Sequence, residues 1–376
     1  MNTCDFLIIG AGIAGASAAY ELAAHGRVVL LEREHLPGYH STGRSAAVFT
    51  ENYGSAIIRR LTVASRRFFE NPPDGFTSTP LLSSRGMLWI ARDDQQATLA
   101  AALVEAQKLV PSIYAVDCTE AKRLCPSLHN DYLAAAVLEP EATDMDVHAI
   151  HQGFLAGFRL RNGEIVTDAE VTRLVRSDSS WEVQTTKGKF NTGVVINAAG
   201  AWCDEVGKLA GAQPISLVPK RRTAFIFDGP TERDFSSWPV VIDVDEQFYF
   251  KPESGRILAS PADETPMPPC DVHPEEYDVA LAADRIQKAS TLSIHHIRRK
   301  WAGLRSFVAD KAPVVGMDVS LPGFFWLAGQ GGYGIMTSPA MGRAATSLII
   351  EGRLPADLAA SGLTPDDLSP KRLQRT

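Results

Sequence analysis

Apolar positions open the chain as an unbroken run, Phe6-Leu7-Ile8-Ile9, which stops at Gly10 and gives way to a small-residue stretch reaching Tyr20. A second run, Val28-Val29-Leu30-Leu31, closes on Glu32. Continuous apolar runs of this length predict strands covered on both faces, with a helix between them. At the first junction lies Gly10-Ala11-Gly12-Ile13-Ala14-Gly15. Gly10 lets the strand turn sharply, Gly12 removes a side chain where a pyrophosphate must approach backbone, and Gly15 lets the helix pack on the sheet. Glu32, at the end of the second strand, is placed to accept both hydroxyls of an adenosine ribose and to repel a 2′-phosphate. Together these features predict a dinucleotide site, with NAD and FAD both open.

The same kind of pattern returns along the chain. A turn-rich segment from Pro37 to Arg44 leads through Ser41-Thr42-Gly43-Arg44-Ser45-Ala46-Ala47, whose small and hydroxylated side chains let backbone lie close to a flat or charged ligand. Glu164 to Val171 predicts a short strand, and Val194 to Gly200 a buried one ending in small residues. Phe324 to Gly329 predicts a third, followed by Gln330-Gly331-Gly332-Tyr333-Gly334 and a helix through Ile349. The amides of Gly334 to Met336 would form that helix's positive end, with Pro339 in its first turn. Between these pieces Asp243 to Phe250 alternates, then turns at Pro252-Glu253-Ser254-Gly255 into Arg256-Ile257-Leu258. That predicts a hairpin with Gln247, Tyr249 and Lys251 on one face and Phe248 and Phe250 on the other. The fold class is α/β, α+β overall. A Rossmann-like domain of residues 1–47, 146–219 and 301–376 is interleaved with a mixed-sheet domain of residues 48–145 and 220–300.

Composition narrows the chemistry. The 376 residues carry a net charge of −7, which leaves no electrostatic footprint for nucleic acid; Arg298-Arg299-Lys300 reads as a solvated loop or strand end. Five cysteines without a C-x-x-C pair read as reduced, and a cytoplasmic protein is expected. The stretch Phe6 to Tyr20 has no positive segment before it, is interrupted by glycines and is too short to span a bilayer, so neither a signal peptide nor a membrane span is expected. His295 and His296 are adjacent and would face opposite sides of a strand, and no H-E-x-x-H or Cys/His cluster occurs, so no metal is expected. Pro266 to Cys270 reads as a surface loop.

The glycine motif with Glu32, the Ser41 to Ala47 segment, Val194 to Cys203 and Gly323 to Gly334 resemble the D-amino-acid oxidase superfamily of FAD enzymes over nearly the whole chain. Gly38 to Ala47, Pro219-Lys220-Arg221-Arg222 and Trp301 to Phe307 are similar to the bacterial D-amino-acid dehydrogenases, which include D-arginine dehydrogenase. The resemblance implies non-covalent FAD, no cysteine lying between Trp301 and Trp326 where relatives attach theirs. It places around the cofactor Gly10, Gly12, Ala14, Gly15, Glu32, Arg33, Ser41, Thr42, Arg44, Ser45, Ala46, Ala47 and Val171. Ala199, Gly200, Trp202, Gly303, Gly331, Gly332, Tyr333, Gly334 and Ile335 complete that set.

On the substrate side, Arg222 and Arg305 sit among apolar residues on predicted strands, where a guanidinium needs an anion: a substrate carboxylate held in a fork, or a protein Asp or Glu. The resemblance assigns both to the substrate, with Tyr53 and Tyr249 closing the clamp and a Gly331 or Gly332 carbonyl orienting the amine. Val48, Thr50 and Met87 then form the side-chain pocket. Basic-substrate relatives carry a carboxylate where this chain has Met87 and a histidine where it has Val48, so the pocket has lost polarity, with Glu51 as the one acid able to compensate from a nearby loop. The implied activity is hydride transfer from the Cα of an uncharged or apolar D-amino acid to flavin N5, giving an imino acid that hydrolyses to a 2-oxo acid and ammonia, with an unidentified electron acceptor. A secondary-amine oxidase or dehydrogenase of sarcosine, glycine or opine type would use the same clamp. A non-catalytic flavoprotein subunit is the alternative of another class.

Overall fold

The computed structural model describes residues 2–373. Strand β1 (Asn2–Ile9), helix α1 (Ile13–Leu22) and strand β2 (Val28–Leu31) form the opening unit where the sequence places it. Five strands run parallel in the order Glu164–Val166, β2, β1, Gly188–Asn197, Phe324–Ala328, and an antiparallel pair, Val171–Ser177 and Ser180–Thr185, extends the sheet on the Gly188–Asn197 side. Val314–Met317 pairs antiparallel with Phe324–Ala328, completing eight strands. All four residues of β2 and all five of Phe324–Ala328 are buried, as their unbroken apolar sequences require.

The segment Glu164 to Val171 is not one strand. It breaks after Val166, where Asp168 takes φ 55° and Glu32 is bridged from its amide to Val166 O and from its carbonyl to Ala169 N, so the chain reverses into the antiparallel pair. The last long helix likewise starts later than the sequence suggests, spanning Ser338–Ile350. Pro339 sits in its first turn, where its missing N–H has no helical partner to lose. The amides of Gly334 to Met336 therefore belong to the turns preceding the helix. His295 and His296 precede the strand Ile297–Phe307 and lie in irregular chain, while Arg298, Arg299 and Lys300 are exposed on that strand.

A second sheet of nine strands includes Val218–Phe227 beside Ile297–Phe307, then Arg256–Ser260, Tyr249–Glu253, Val240–Asp243, Met87–Ala91 and Ala135–Glu139 in order. The hairpin turns at Ser254-Gly255 alone, with φ 50° and 74°; this two-residue turn matches the strand twist, so Pro252 and Glu253 stay in the strand. Phe248 and Phe250 enter an apolar core with Phe225, Phe227 and Ile286, and Tyr249 faces the other way. A three-stranded sheet, Val48–Phe49, Thr143–Met145 and Leu82–Ser84, stands beside these. Helix Ala56–Glu70 buries Ile58, Leu61 and Phe69 in the core shared by α1 and Ser338–Ile350. All five cysteines are free, and among the described residues no helix is long and apolar enough to cross a membrane.

Helix α1 crosses the end of β1 closely enough that a Cβ on Gly15 would overlap the Gly10 carbonyl oxygen. Gly15→Ala must therefore push α1 off the sheet, and we expect a loss of about 1–3 kcal/mol or more, read as a lowered melting temperature.

Candidate active site

Two clefts with empty volumes of about 970 and 1510 Å³ share walls at Gly12, Ser41, Thr42, Ala198, Gly200 and Ala201, and so run into one another. In the smaller arm, Glu32 lies at the end of β2 with Oε2 accepting the Ala11 amide at 3.0 Å and Oε1 the Glu34 amide at 3.0 Å. Burial pushes its carboxyl upward, and the two amides pull it back. Gly10, Arg33, Val171, Ala199, Gly200 and Trp202 complete this arm, the Arg33 guanidinium lying 4.1 Å over the Trp202 ring. At the junction, Thr42 Oγ1 accepts the Ile13 amide at 3.0 Å, and a Cβ on Gly12 would stand 3.2 Å from that oxygen. A carboxylate for a ribose at one end and a helix N-terminus opened by the side-chain-free Gly12 for a pyrophosphate at the other fit a dinucleotide such as FAD.

Ala14, Ser45, Ala46, Ala47, Gly303, Gly331, Gly332, Gly334 and Ile335 line the larger arm. Arg44 borders it too, but its guanidinium is committed elsewhere, to Val272 O and Ala302 O at 3.1 Å each and to Asp271 at 2.5 Å. Gly15 and Tyr333 line neither arm. Gly15 is used for the crossing of α1 over β1, and Tyr333 packs edge-on against Tyr53 at 5.1 Å and Phe307 at 6.4 Å, bracing the wall from behind.

Register decides the arginines. Arg222 stands opposite Gly303 and Arg305 opposite Lys220, so the two arginines are diagonal neighbours on one face of the strand pair, within reach of one another for long side chains. Gly303 between them leaves that face open, and both arginines line the larger arm. Arg221 points to the opposite face, where Asp263, Glu275 and Asp278 neutralise it at 3.3, 3.0 and 2.7 Å. Arg222 is 7% exposed, has one carboxylate contact, Glu264 at 3.4 Å, and leaves its buried Nε without a partner. Arg305 has no ion pair among the described residues; it lies against the Tyr53 phenol, and a Cβ on Gly332 would be 2.7 Å from its Nη1. Burial, opposed by Arg305, holds the Tyr53 phenol above its ordinary value, so its hydroxyl stays protonated and donates to Glu246 Oε2 at 3.2 Å.

Val48, Thr50, Met87 and Tyr249 also line this arm, together with residues that the sequence did not mark as part of the site: Trp89, Ala224, Val240, Ile242, Gln330 and Glu246. Val240 and Ile242 lie on the strand Val240–Asp243, whose four residues are all buried, so no alternation in the sequence marks which side chains face the cavity. Glu246 carries no signal either, since it sits in a turn at φ 53°, held by the buried Asp243, which accepts the Asp245 and Gln247 amides. The cavity thus contains an acid that composition of the pocket strands did not foretell. Glu51 is not free to supply one: its Oε1 accepts from Arg66 Nε at 2.7 Å. Glu139, 2% exposed on the strand next to Met87, is a further buried acid, its carboxyl pushed up to about 7 by desolvation.

The family described as "DAO: FAD dependent oxidoreductase" matches residues 5–348. The human mitochondrial dimethylglycine dehydrogenase is 25% identical over 95% of this chain, which spans only 44% of that relative's length. Among solved structures, the L-proline dehydrogenase from P. horikoshii superposes with a TM-score of 0.85 at 23% identity, covering 100% of this chain and 98% of its own. The glycine oxidase from Geobacillus kaustophilus gives 0.82 at 21% identity, with 93% and 95% covered. Both structures share the fold.

Gly12→Val would fill the space beside Thr42, and we expect a folded but colourless protein, checked by the flavin absorbance of the purified variant against its circular dichroism. Glu139 gives a pH signature. Its folded-state pKa is raised, so its contribution to stability is complete below the unfolded value near 4.5 and is lost as pH rises through about 7. A rise of that size is worth roughly 3 kcal/mol. Glu139→Gln should flatten the fall in melting temperature between pH 5 and pH 8; an unchanged slope would contradict the assignment.

Proposed function

This chain belongs to the DAO family of FAD dependent oxidoreductases, and from that premise we propose that it oxidises the Cα–N bond of a D-amino acid with an uncharged or apolar side chain. The product is an imino acid, which water hydrolyses to a 2-oxo acid and ammonia. The observation that carries this reading is the pair of diagonal guanidiniums, Arg222 and Arg305, on one cavity wall, the second without a carboxylate partner among the described residues. A substrate carboxylate supplies the missing charge. Tyr53 remains a neutral donor, so the amine is bound without a phenolate base, and the glycine turn Gly331-Gly332 offers carbonyls beside Arg305 to hold its N–H groups. Bound FAD supplies the hydride acceptor. With carboxylate and amine fixed at separate points, one enantiomer alone directs its Cα hydrogen toward the cofactor while its side chain enters the Val48, Met87, Val240 and Ile242 wall.

A second reading, oxidation of an N-alkyl or cyclic amino acid, draws on the likeness to dimethylglycine and L-proline dehydrogenases. Such a substrate uses the same clamp. Product analysis separates the two, since a D-amino acid yields ammonia, an N-alkyl substrate a primary or secondary amine, and a cyclic one a product that keeps its nitrogen.

Arg222→Ala and Arg305→Ala should each lower substrate capture by about 2–5 kcal/mol, the range for truncating one partner of a buried charge pair, with the yellow colour retained. Wild-type kcat/KM in either variant would make that arginine structural. Anaerobic mixing with D- and L-amino acids, sarcosine and proline, followed by flavin bleaching, tests the substrate class; we expect D-Met, D-Leu and D-Phe to bleach fastest. Bleaching by none of these would favour a non-catalytic subunit.

A further inference from the structure

Beyond the clamp, an acid that the proposed reaction does not use lies behind the wall of the larger cleft. Glu139 lies on Ala135–Glu139, directly across from Met87 on the adjacent antiparallel strand, so both side chains stand on the face that borders the cavity. Met87 lines that cavity; Glu139 lies behind it, 2% exposed, with a buried Oε2 that has no hydrogen-bond partner. Thr50, also in the cavity wall, hydrogen-bonds the carboxyl with its hydroxyl, whose oxygen also accepts the Asn52 amide, and Oε2 still remains without a partner.

The charged groups around this carboxyl do not neutralise it. Glu51, in the loop after Val48–Phe49, is paired with Arg66 of helix Ala56–Glu70, and Arg66 is shared again with Glu70 at 3.1 Å. Glu141, in the turn after the strand, adds a like charge. Along Met87–Ala91 the residues nearest to Glu139 are apolar. An acid in such a place is costly to ionise and incomplete as a hydrogen-bonding group, and the partner that answers both deficits is a cation bearing N–H donors. Access runs through Met87, whose unbranched, flexible side chain can change rotamer where a β-branched residue could not.

We propose that Glu139 is a specificity-determining residue of the side-chain pocket, reached when Met87 moves aside, and that it extends the substrate range from apolar D-amino acids to those whose long side chain ends in an ammonium group. The inference rests on the D-amino-acid reading above. When the ammonium arrives, the carboxyl gives up its proton to solvent and the cation takes its place, so capture of such substrates strengthens with pH through about 7.

The test uses the FAD-loaded protein and two substrates of equal length, D-lysine and D-norleucine, which differ in the terminal group alone. The readout is the ratio of their kcat/KM values at pH 6 and pH 8.5. At pH 8.5 Glu139→Gln should lower the D-lysine to D-norleucine ratio about tenfold, as expected for loss of a charged hydrogen bond. Met87→Ala should raise the ratio, and the double variant Met87→Ala with Glu139→Gln should lose that gain. Equal ratios in Met87→Ala and the double variant, with D-norleucine still turned over, would overturn the inference and leave the D-amino-acid reading standing. Should wild type oxidise neither compound, that reading fails, and calorimetry of both ligands on the dithionite-reduced holoenzyme then decides the role of Glu139. Tighter D-lysine binding that Glu139→Gln abolishes supports it, and equal affinities refute it.

Discussion

The short strap from Ser41 to Ser45 holds the two halves of the site in register. Thr42 Oγ1 accepts the first free amide of α1, at Ile13, while Ser41 Oγ donates to Leu304 O at 2.6 Å, the carbonyl next to Arg305. From the other side Trp301 Nε1 donates to Arg44 O at 2.9 Å, and Arg44 returns two hydrogen bonds to Ala302 O and Val272 O. One turn of 3₁₀ helix, Thr42–Arg44, therefore ties the nucleotide-binding end of the first sheet to the strand that carries the clamp. Because each of these bonds is partly or fully buried, breaking one strands a polar group, and the strap resists small displacements that would misalign substrate and cofactor.

Sheet alternation then distributes charge on either side of Val218–Phe227. Arg221 and Arg222 are consecutive, yet the pleat sends them to opposite faces. Arg221 meets three carboxylates and is a structural cation. Arg222 faces the cavity with one long contact to Glu264, which Lys220 also claims at 2.9 Å. Two guanidiniums thus share a wall with less negative charge than they need, which is the electrostatic condition for holding a small carboxylate out of water.

Burial also sets the protonation of the surrounding groups. Tyr53 is kept neutral by desolvation, Tyr333 behind it is raised for the same reason, and Glu139 is driven toward its protonated form. His151, buried beneath the glycine loop, is lowered by desolvation and donates from Nε2 to Ala11 O at 2.9 Å, so that Ala11 is held at its carbonyl by His151 and at its amide by Glu32. The Tyr53 phenol is consequently a neutral donor beside the guanidinium of Arg305. Apolar walls from Val48, Met87, Val240 and Ile242 keep the effective dielectric low, so each of the few charges counts for more.

The sequence by itself determined whatever local periodicity and backbone freedom can specify. The unit from Phe6 to Glu32 was legible because unbroken apolar runs mark covered strands and because Gly10, Gly12 and Gly15 each answer a steric demand, visible as the contacts a Cβ would make. Strand Phe324–Ala328 and the facing of Tyr249 against Phe248 were legible for the same reason. Boundaries were not: the break at Asp168 goes with hydrogen bonds to Glu32 and Glu34, and the last helix opens at Ser338 with the Ala340 amide donating to Ser65 Oγ. Only the tertiary structure decided which of two adjacent arginines finds carboxylates, that Arg44 is a tie and Tyr333 a brace, that Glu51 is taken by Arg66, and that Glu246 and Glu139 approach the cavity. Those outcomes turn on cross-strand register and on pairings between different elements of the fold, and no local pattern in the chain encodes them.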